Sequence, residues 1–281
     1  MNLAAHIRAG ASDGDGMTSI DDLFPPAPRV VYDVNPLQTV VAQIRFPTLL
    51  RIEAYPPVEL QEAIRDRFPL VERTANPATQ GLPPEIIQAI GAQIAPGFVF
   101  KTAESDISAT LTPDSLTLET SSYRRWEDFW SISSHCIENF ISIYQPSFVT
   151  RLGLRYQNLI RRSQLGLSEV PWSRLLSSYV AGELGIPSWE SVTVDARRVI
   201  RSSDTSGDGI LFQHGFAQLE GDNEQLYLVD FDFFREDRVI VNDVAGTFFR
   251  FNSRSGRAFR WAISDELHDV LGARQVQPQE H

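Results

Sequence analysis

The 281-residue chain is 42% hydrophobic and 10% aromatic, enough to bury one large core or two modest ones. Its 36 acidic and 25 basic side chains leave a formal net charge of −11, so general nucleic-acid binding is disfavoured: a long-range negative potential repels phosphate backbones. A single cysteine, Cys136, excludes an intrachain disulfide and a thiolate zinc cluster, and no apolar run approaches the ~18 residues that would span a bilayer, so a cytoplasmic protein with no membrane partner is expected.

Residues 1–34 read as a disordered leader, GASDGDG followed by the proline-rich FPPAPR, with too little periodic apolar content to fold alone. The fold starts at Asn35. In TVVAQIRFP, Val40, Ala42, Ile44 and Phe46 alternate with Val41, Gln43 and Arg45, which predicts a strand stopped by Pro47. PPVELQEAIRDRFP follows as a short helix, with prolines at its start, where a missing N–H costs nothing, and Pro69 at its end. PPEIIQAIGAQI reads as a second helical segment. FVFKTA, ISATLT and SLTLETS are predicted strands, the last two joined by a turn at Pro113-Asp114. RWEDFWSISSHCIENFISIY then sets Trp126, Phe129, Trp130, Ile137, Phe140 and Ile141 at helical intervals, closed by Pro146.

The second half repeats that order. The strand VTRLGLRYQNLI precedes a helix around PWSRLLSSYVAGEL, and three strands follow in SVTVDARRVI, GILFQHGFAQL and EQLYLVDFDFF, with hairpin turns at DTSGDG and EGDNE. A last helical region spans roughly 243–271 in two pieces, because Gly246 and Gly256 weaken its continuity and Ser264 reads as a fresh cap. The order βαβββα therefore occurs twice, over 35–148 and 149–272, ahead of a flexible tail at 273–281. This predicts an α+β fold in which two such halves form one compact unit, a largely antiparallel curved sheet with helices packed on one face.

No GxGxxG, GxxxxGK(S/T), GxSxG, HExxH or CxxC occurs, and the five histidines never fall at a local ligand spacing, so neither cofactor nor metal is expected and enzymatic activity is disfavoured. DTSGDG opens like a calcium loop, but Gly215 stands where the twelfth-place glutamate is required, and a hairpin turn explains it better. Two strands carry the candidate chemistry. In RLGLRYQN, Arg151, Gly153, Arg155 and Gln157 share one face, and Leu152, Leu154, Tyr156 and Asn158 the other. In LVDFDFF, Asp230 and Asp232 share a face. Carboxylates two residues apart on a strand can hold a divalent metal, or they can receive guanidinium forks from a neighbouring strand. The second reading takes precedence, since it needs no further assumption and resolves both strands together.

These residues also carry a resemblance. Asn35-Pro36-Leu37 leading to Arg45-Phe46-Pro47, Tyr123-x-x-Trp126-x-x-Phe129, Tyr144-x-Pro146, Arg151-x-Gly153-Leu154-Arg155-Tyr156-x-Asn158 and Leu228-x-Asp230-x-Asp232 together resemble a sporadically distributed, mostly uncharacterised bacterial protein family. The similarity covers roughly 35–271, and the RxGLRYxN element is its most specific part. It implies no enzyme class, cofactor or catalytic residue. Patchy distribution implies horizontal transfer, and with it a place in a defence or mobile-element module. The expectation is a non-enzymatic binding or regulatory protein that recognises a protein partner, antitoxin-like or accessory, with Tyr123, Trp126, Tyr156 and Asn158 as binding candidates beside the Arg151/Arg155 and Asp230/Asp232 strands. The alternative is a small-molecule or nucleotide binder, or a metal-dependent phosphoryl-transfer enzyme built on those two strands.

Overall fold

Two strands of alternating apolar and polar residues form the middle of the molecule. In the computed structural model, which describes residues 19–74, 97–219 and 221–276, β2 (Leu37–Arg45) runs antiparallel to β7 (Arg151–Ile160), with Val41 opposite Arg155 and Ile44 opposite Leu152. Each is the first strand of its half, and each is followed outward by the rest of that half in reverse order. β3 (Leu70–Thr74), β4 (Gly97–Lys101), β5 (Ile107–Thr112) and β6 (Ser115–Thr120) extend one wing, and β8 (Arg197–Ser203), β9 (Asp208–Ala217) and β10 (Leu226–Arg235) the other. The result is one nine-stranded sheet, β3-β4-β5-β6-β2-β7-β10-β9-β8, antiparallel at every pairing. The α+β class expected from the element order is the one adopted, and the halves join edge to edge through their opening strands.

Helices α1 (Leu50–Ala54), α2 (Val58–Ile64), α3 (Trp126–Tyr144), α4 (Val244–Ala262) and α5 (Asp265–Val270) complete the frame. The long helices α3 and α4 cover the same side of the sheet. Phe140 of α3 meets Phe46 at 4.8 Å between ring centroids, and Phe251 of α4 meets Phe233 of β10 at 6.5 Å. Trp130 against Phe248, at 5.7 Å, closes the layer between the two helices. A single hydrophobic cluster runs through both halves, from Val40 and Leu118 to Leu154, Phe231 and Phe259. Among the described residues no helix is long and apolar enough to cross a membrane.

Several expectations are corrected. Residues 19–34, assigned to the disordered leader, are packed: Ile20 and Phe24 are buried, and Phe24 meets the rings of Phe231, Phe233 and Trp261 at 5.3–6.2 Å. The polar and proline-rich composition there hides two apolar pegs spaced too far apart to register as a periodic pattern. β1 (Val30–Tyr32) then pairs with β11 (Ala273–Gln275), so the start of the expected tail is also ordered, in a small second sheet. The expected helix at PWSRLLSSYVAGEL breaks into short turns because Ser177 N–H donates to the Ala262 carbonyl and Leu176 forms a β-bridge with Ile263. The first half carries an additional strand, β3, so the two halves are not equal. The last helical region is in two pieces with Ser264 as the cap of the second, as expected, its hydroxyl accepting from Leu267 N–H, but α4 runs through Gly246 and Gly256 unbroken and the helix stops only at Ile263. The helical segment expected at 83–94 lies outside the described residues.

Candidate functional site

The side-chain period of two divides the RLGLRYQN strand between two surfaces. On the face of the sheet away from α3 and α4, Arg155 makes a forked contact with Asp230, Nε to Oδ1 at 2.9 Å and Nη2 to Oδ2 at 2.6 Å. Gln157 Nε2 donates to the same carboxylate at 3.3 Å. Arg155 lies opposite Asp232 in register, so its fork reaches diagonally, while Arg151 Nη2 holds Asp232 Oδ2 at 2.7 Å and its Nη1 donates to Gln43 at 3.2 Å. To reach both, Arg151 lies flat across Gly153, where a Cβ would sit 2.2 Å from its Nη1. That contact is the reason for glycine in this strand. The Phe234 ring, in turn, covers Gly209 and takes Arg151 and Arg201 over it at 5.6 and 4.4 Å.

The electrostatics agree with paired, partly dehydrated charges. The Asp230 hydrogen bond raises the Arg155 guanidinium above its ordinary value. Burial pushes the Asp232 carboxyl up, against the pull of Arg151 and Arg155. Asp230 is 1% exposed, so its charge depends on the fork. The four residues expected to meet do meet, as a structural network. Among the described residues no group of three or more His, Cys, Asp or Glu is placed to hold a metal ion.

The even-numbered residues of the strand point the other way. Tyr156 and Asn158 form the floor of a cavity of about 350 Å³ between the sheet and the helix layer. Its walls come from four separated stretches: residues 27–32 with β1, Asn35–Leu37 at the start of β2, Tyr123–Glu127 at the start of α3, and α4 from Phe249 to Phe259. Tyr156 Oη donates to Asn252 Oδ1 at 2.9 Å, and the Tyr123 and Tyr156 hydroxyls lie 3.5 Å apart with their rings edge to face. Asn158 Nδ2 donates to the Val229 carbonyl, which fixes that amide from the strand behind it. Burial raises the Tyr123 phenol to about 12 and carries Tyr156 well above its usual value. Both therefore stay protonated and can donate.

Arg29 spans the mouth to Glu127, with contacts at 2.6 and 2.7 Å. Their hydrogen bond raises the guanidinium and holds the carboxyl below its ordinary range. Asn35 Nδ2 donates to the Tyr123 carbonyl and ties the entry of β2 to the entry of α3. Two buried N–H groups on lining residues, Trp126 Nε1 and Arg257 Nε, have no hydrogen-bond partner in the protein. An orphaned buried donor carries an uncompensated desolvation cost.

The sequence-derived candidates thus separate into two sets. Tyr123, Trp126, Tyr156 and Asn158 come together around the cavity, and Arg151, Arg155, Asp230 and Asp232 come together on the opposite face of the sheet. Sequence reasoning missed Arg29, Asn252 and Arg257. Arg29 lies in the stretch assigned to the leader, and the α4 residues acquire meaning only where the helix crosses β7. DTSGDG serves as an anchor for that same stretch: Asp204 accepts from Ile20 N–H at 3.0 Å, and Asp208 accepts from Arg254 at 2.7 Å. Arg254 also holds Asp21, whose carboxyl this hydrogen bond lowers. No family model matches the chain, and no curated protein sequence does either.

Proposed function

We propose that the protein is a non-enzymatic binding protein of regulatory type, and that its ligand site is the cavity between the helix layer and the sheet. One observation carries this reading: four chain stretches, from the segment at residue 27 to α4, converge on an aromatic cavity of about 350 Å³. A volume of this order, mostly apolar with a few fixed polar groups, suits a small molecule. The metal-dependent alternative asks for carboxylates at Asp230 and Asp232 that guanidinium groups already hold. A thermal-shift screen of the full chain against small molecules tests the proposal. Ligands for the cavity should raise the melting temperature of the wild type, because binding to the native state alone stabilises it, and Asn252→Ala should abolish that rise. Hits unaffected by Asn252→Ala would refute it.

A protein partner remains a second reading, supported by a different region. Along the stretch leading into edge strand β8, Ile186, Trp189, Val192, Val194 and Val199 are all more than half or about half exposed. Large apolar side chains gathered on an open sheet edge mark a protein interface. In this reading the acidic chain recognises a basic partner as an antitoxin-like or accessory component of a defence or mobile-element module, as the resemblance implies. Affinity purification with the β8 stretch intact and with Val192→Asp, Val194→Asp tests it; a partner retained equally by both would remove this surface from consideration.

A further inference from the structure

The chemistry of the cavity wall narrows the ligand class, on the reading that the cavity is a ligand site. The chain as a whole is strongly acidic, yet the lining inverts that balance: Arg29, Arg124, Arg125 and Arg257 face a single lining carboxylate, Glu127. Three of these cations have partners. Arg29 is held by Glu127, Arg125 by Asp128 and Arg257 by Asp21. Arg124 is exposed and no described residue pairs with it. Asp21 is already shared with Arg254, so it does not neutralise Arg257 alone. The mouth of the cavity is a local surplus of positive charge on a negative protein.

Two N–H groups on lining residues have no partner in the protein. The orphaned atoms, Trp126 Nε1 and Arg257 Nε, are both donors. Tyr156 spends its proton on Asn252 Oδ1, which leaves the Asn252 amide N–H groups directed elsewhere. A guanidinium with no carboxylate calls for an anionic, acceptor-bearing occupant. The apolar part of the wall consists of flat rings, Tyr32, Tyr123, Trp126, Phe249 and Phe259, which pack best against another planar surface.

We propose that the cavity binds a planar aromatic molecule bearing one anionic group, with the ring among the aromatic side chains and the anion at the Arg124 and Arg257 end. The group is a carboxylate or a phosphate, since both present the oxygens that these donors require.

Tryptophan fluorescence and calorimetric titration of the full chain test this with four probes: 2-naphthoate, its neutral counterpart 2-naphthamide, adenosine 5′-monophosphate and inorganic phosphate. Saturable binding of 2-naphthoate or of the nucleotide, about tenfold tighter than 2-naphthamide, is the expected result, since one charge-assisted hydrogen bond is worth about that factor. Which of the two anions binds tells carboxylate from phosphate. Arg124→Gln, at an exposed position that leaves the fold intact, should remove most of that preference while leaving 2-naphthamide affinity unchanged. Equal affinity for 2-naphthoate and 2-naphthamide would overturn the anion while leaving the cavity a ligand site. Inorganic phosphate binding as tightly as the nucleotide, with no binding of either naphthalene, would overturn the aromatic ring. Binding of none of the four would overturn this inference together with the ligand-site reading.

Discussion

The two faces of β7 are built from neighbouring residues of one strand and have opposite economies of charge. On the face away from α3 and α4, Arg151 and Arg155 are held by Asp232 and Asp230, and Gly153 lets one guanidinium lie flat. On the helix-covered face Tyr156 and Asn158 border open volume, and donors nearby go unmet. A satisfied network rigidifies, whereas an unsatisfied one is available for binding. The difference teaches that arginines standing out in an acidic sequence need not mark the site. In the proposed reading the site lies instead at the residues between them.

Variants can break this contrast or sharpen it. Arg155→Ala should have the largest effect, because it strands the buried Asp230 charge: a loss of about 3 kcal/mol, at the low end for a broken buried pair since Arg155 itself is 40% exposed, read from the urea midpoint. Ligand affinity should not change, and a variant that unfolds no sooner than the wild type would make the network ornamental.

Acid should act next, and through the helix-covered side. His214 is buried there, hydrogen-bonded to the Tyr227 hydroxyl at 2.9 Å, and burial lowers it from 6.5 to about 4, with Arg198 adding to the shift. The unfolded chain takes up this proton first, so the stability from a neutral His214 is complete above pH 6.5 and is lost as pH falls toward 4. The full shift is worth about 3 kcal/mol at most, and a loss of about 2 kcal/mol is expected. His214→Gln should flatten that slope in a series of melts at different pH; an unchanged slope would clear the histidine.

Smaller effects separate the faces most cleanly. Gly153→Ala must push the Arg151 guanidinium off the strand, at a cost of about 1 kcal/mol, since the atom displaced is the end of a flexible side chain. Binding should be untouched. Tyr156→Phe should cost about 1 kcal/mol for the hydrogen bond to Asn252 and, unlike Gly153→Ala, should weaken ligand binding in the same titrations. If both variants affected binding alike, the faces would be coupled through the strand.

The class of fold was readable because it depends on local signals. Alternation in TVVAQIR and RLGLRYQN, the turn at Pro113-Asp114 and the helical spacing from Trp126 to Ile141 each act within a few residues. The pairing of Arg155 with Asp230 was readable too, because parity and charge limit where a guanidinium on one strand can go. What could not be read depends on long-range closure. Ile20 and Phe24 look like stray apolar residues in a polar leader until β10 and Trp261 supply the surface they fill. The β1–β11 pairing of Val30 with Gln275 has no local signature in either three-residue strand. About a quarter of the cavity wall, residues 27–32, comes from those unread segments, which is why Tyr123 and Tyr156 could be nominated while Arg29 could not.

The same closure sets an order of events during synthesis. β1 emerges early, but its only partner in the small sheet is β11, whose residues are made almost last among those described. Until then the strand that forms one side of the cavity is tethered by Ile20, Phe24 and the Arg29 contact to Glu127, with no partner strand for its backbone. A nascent chain halted after α4 would have its large sheet and both long helices, and still lack the strand that closes this wall. Binding competence should therefore arrive only once β11 has been made, after most of the core is already in place.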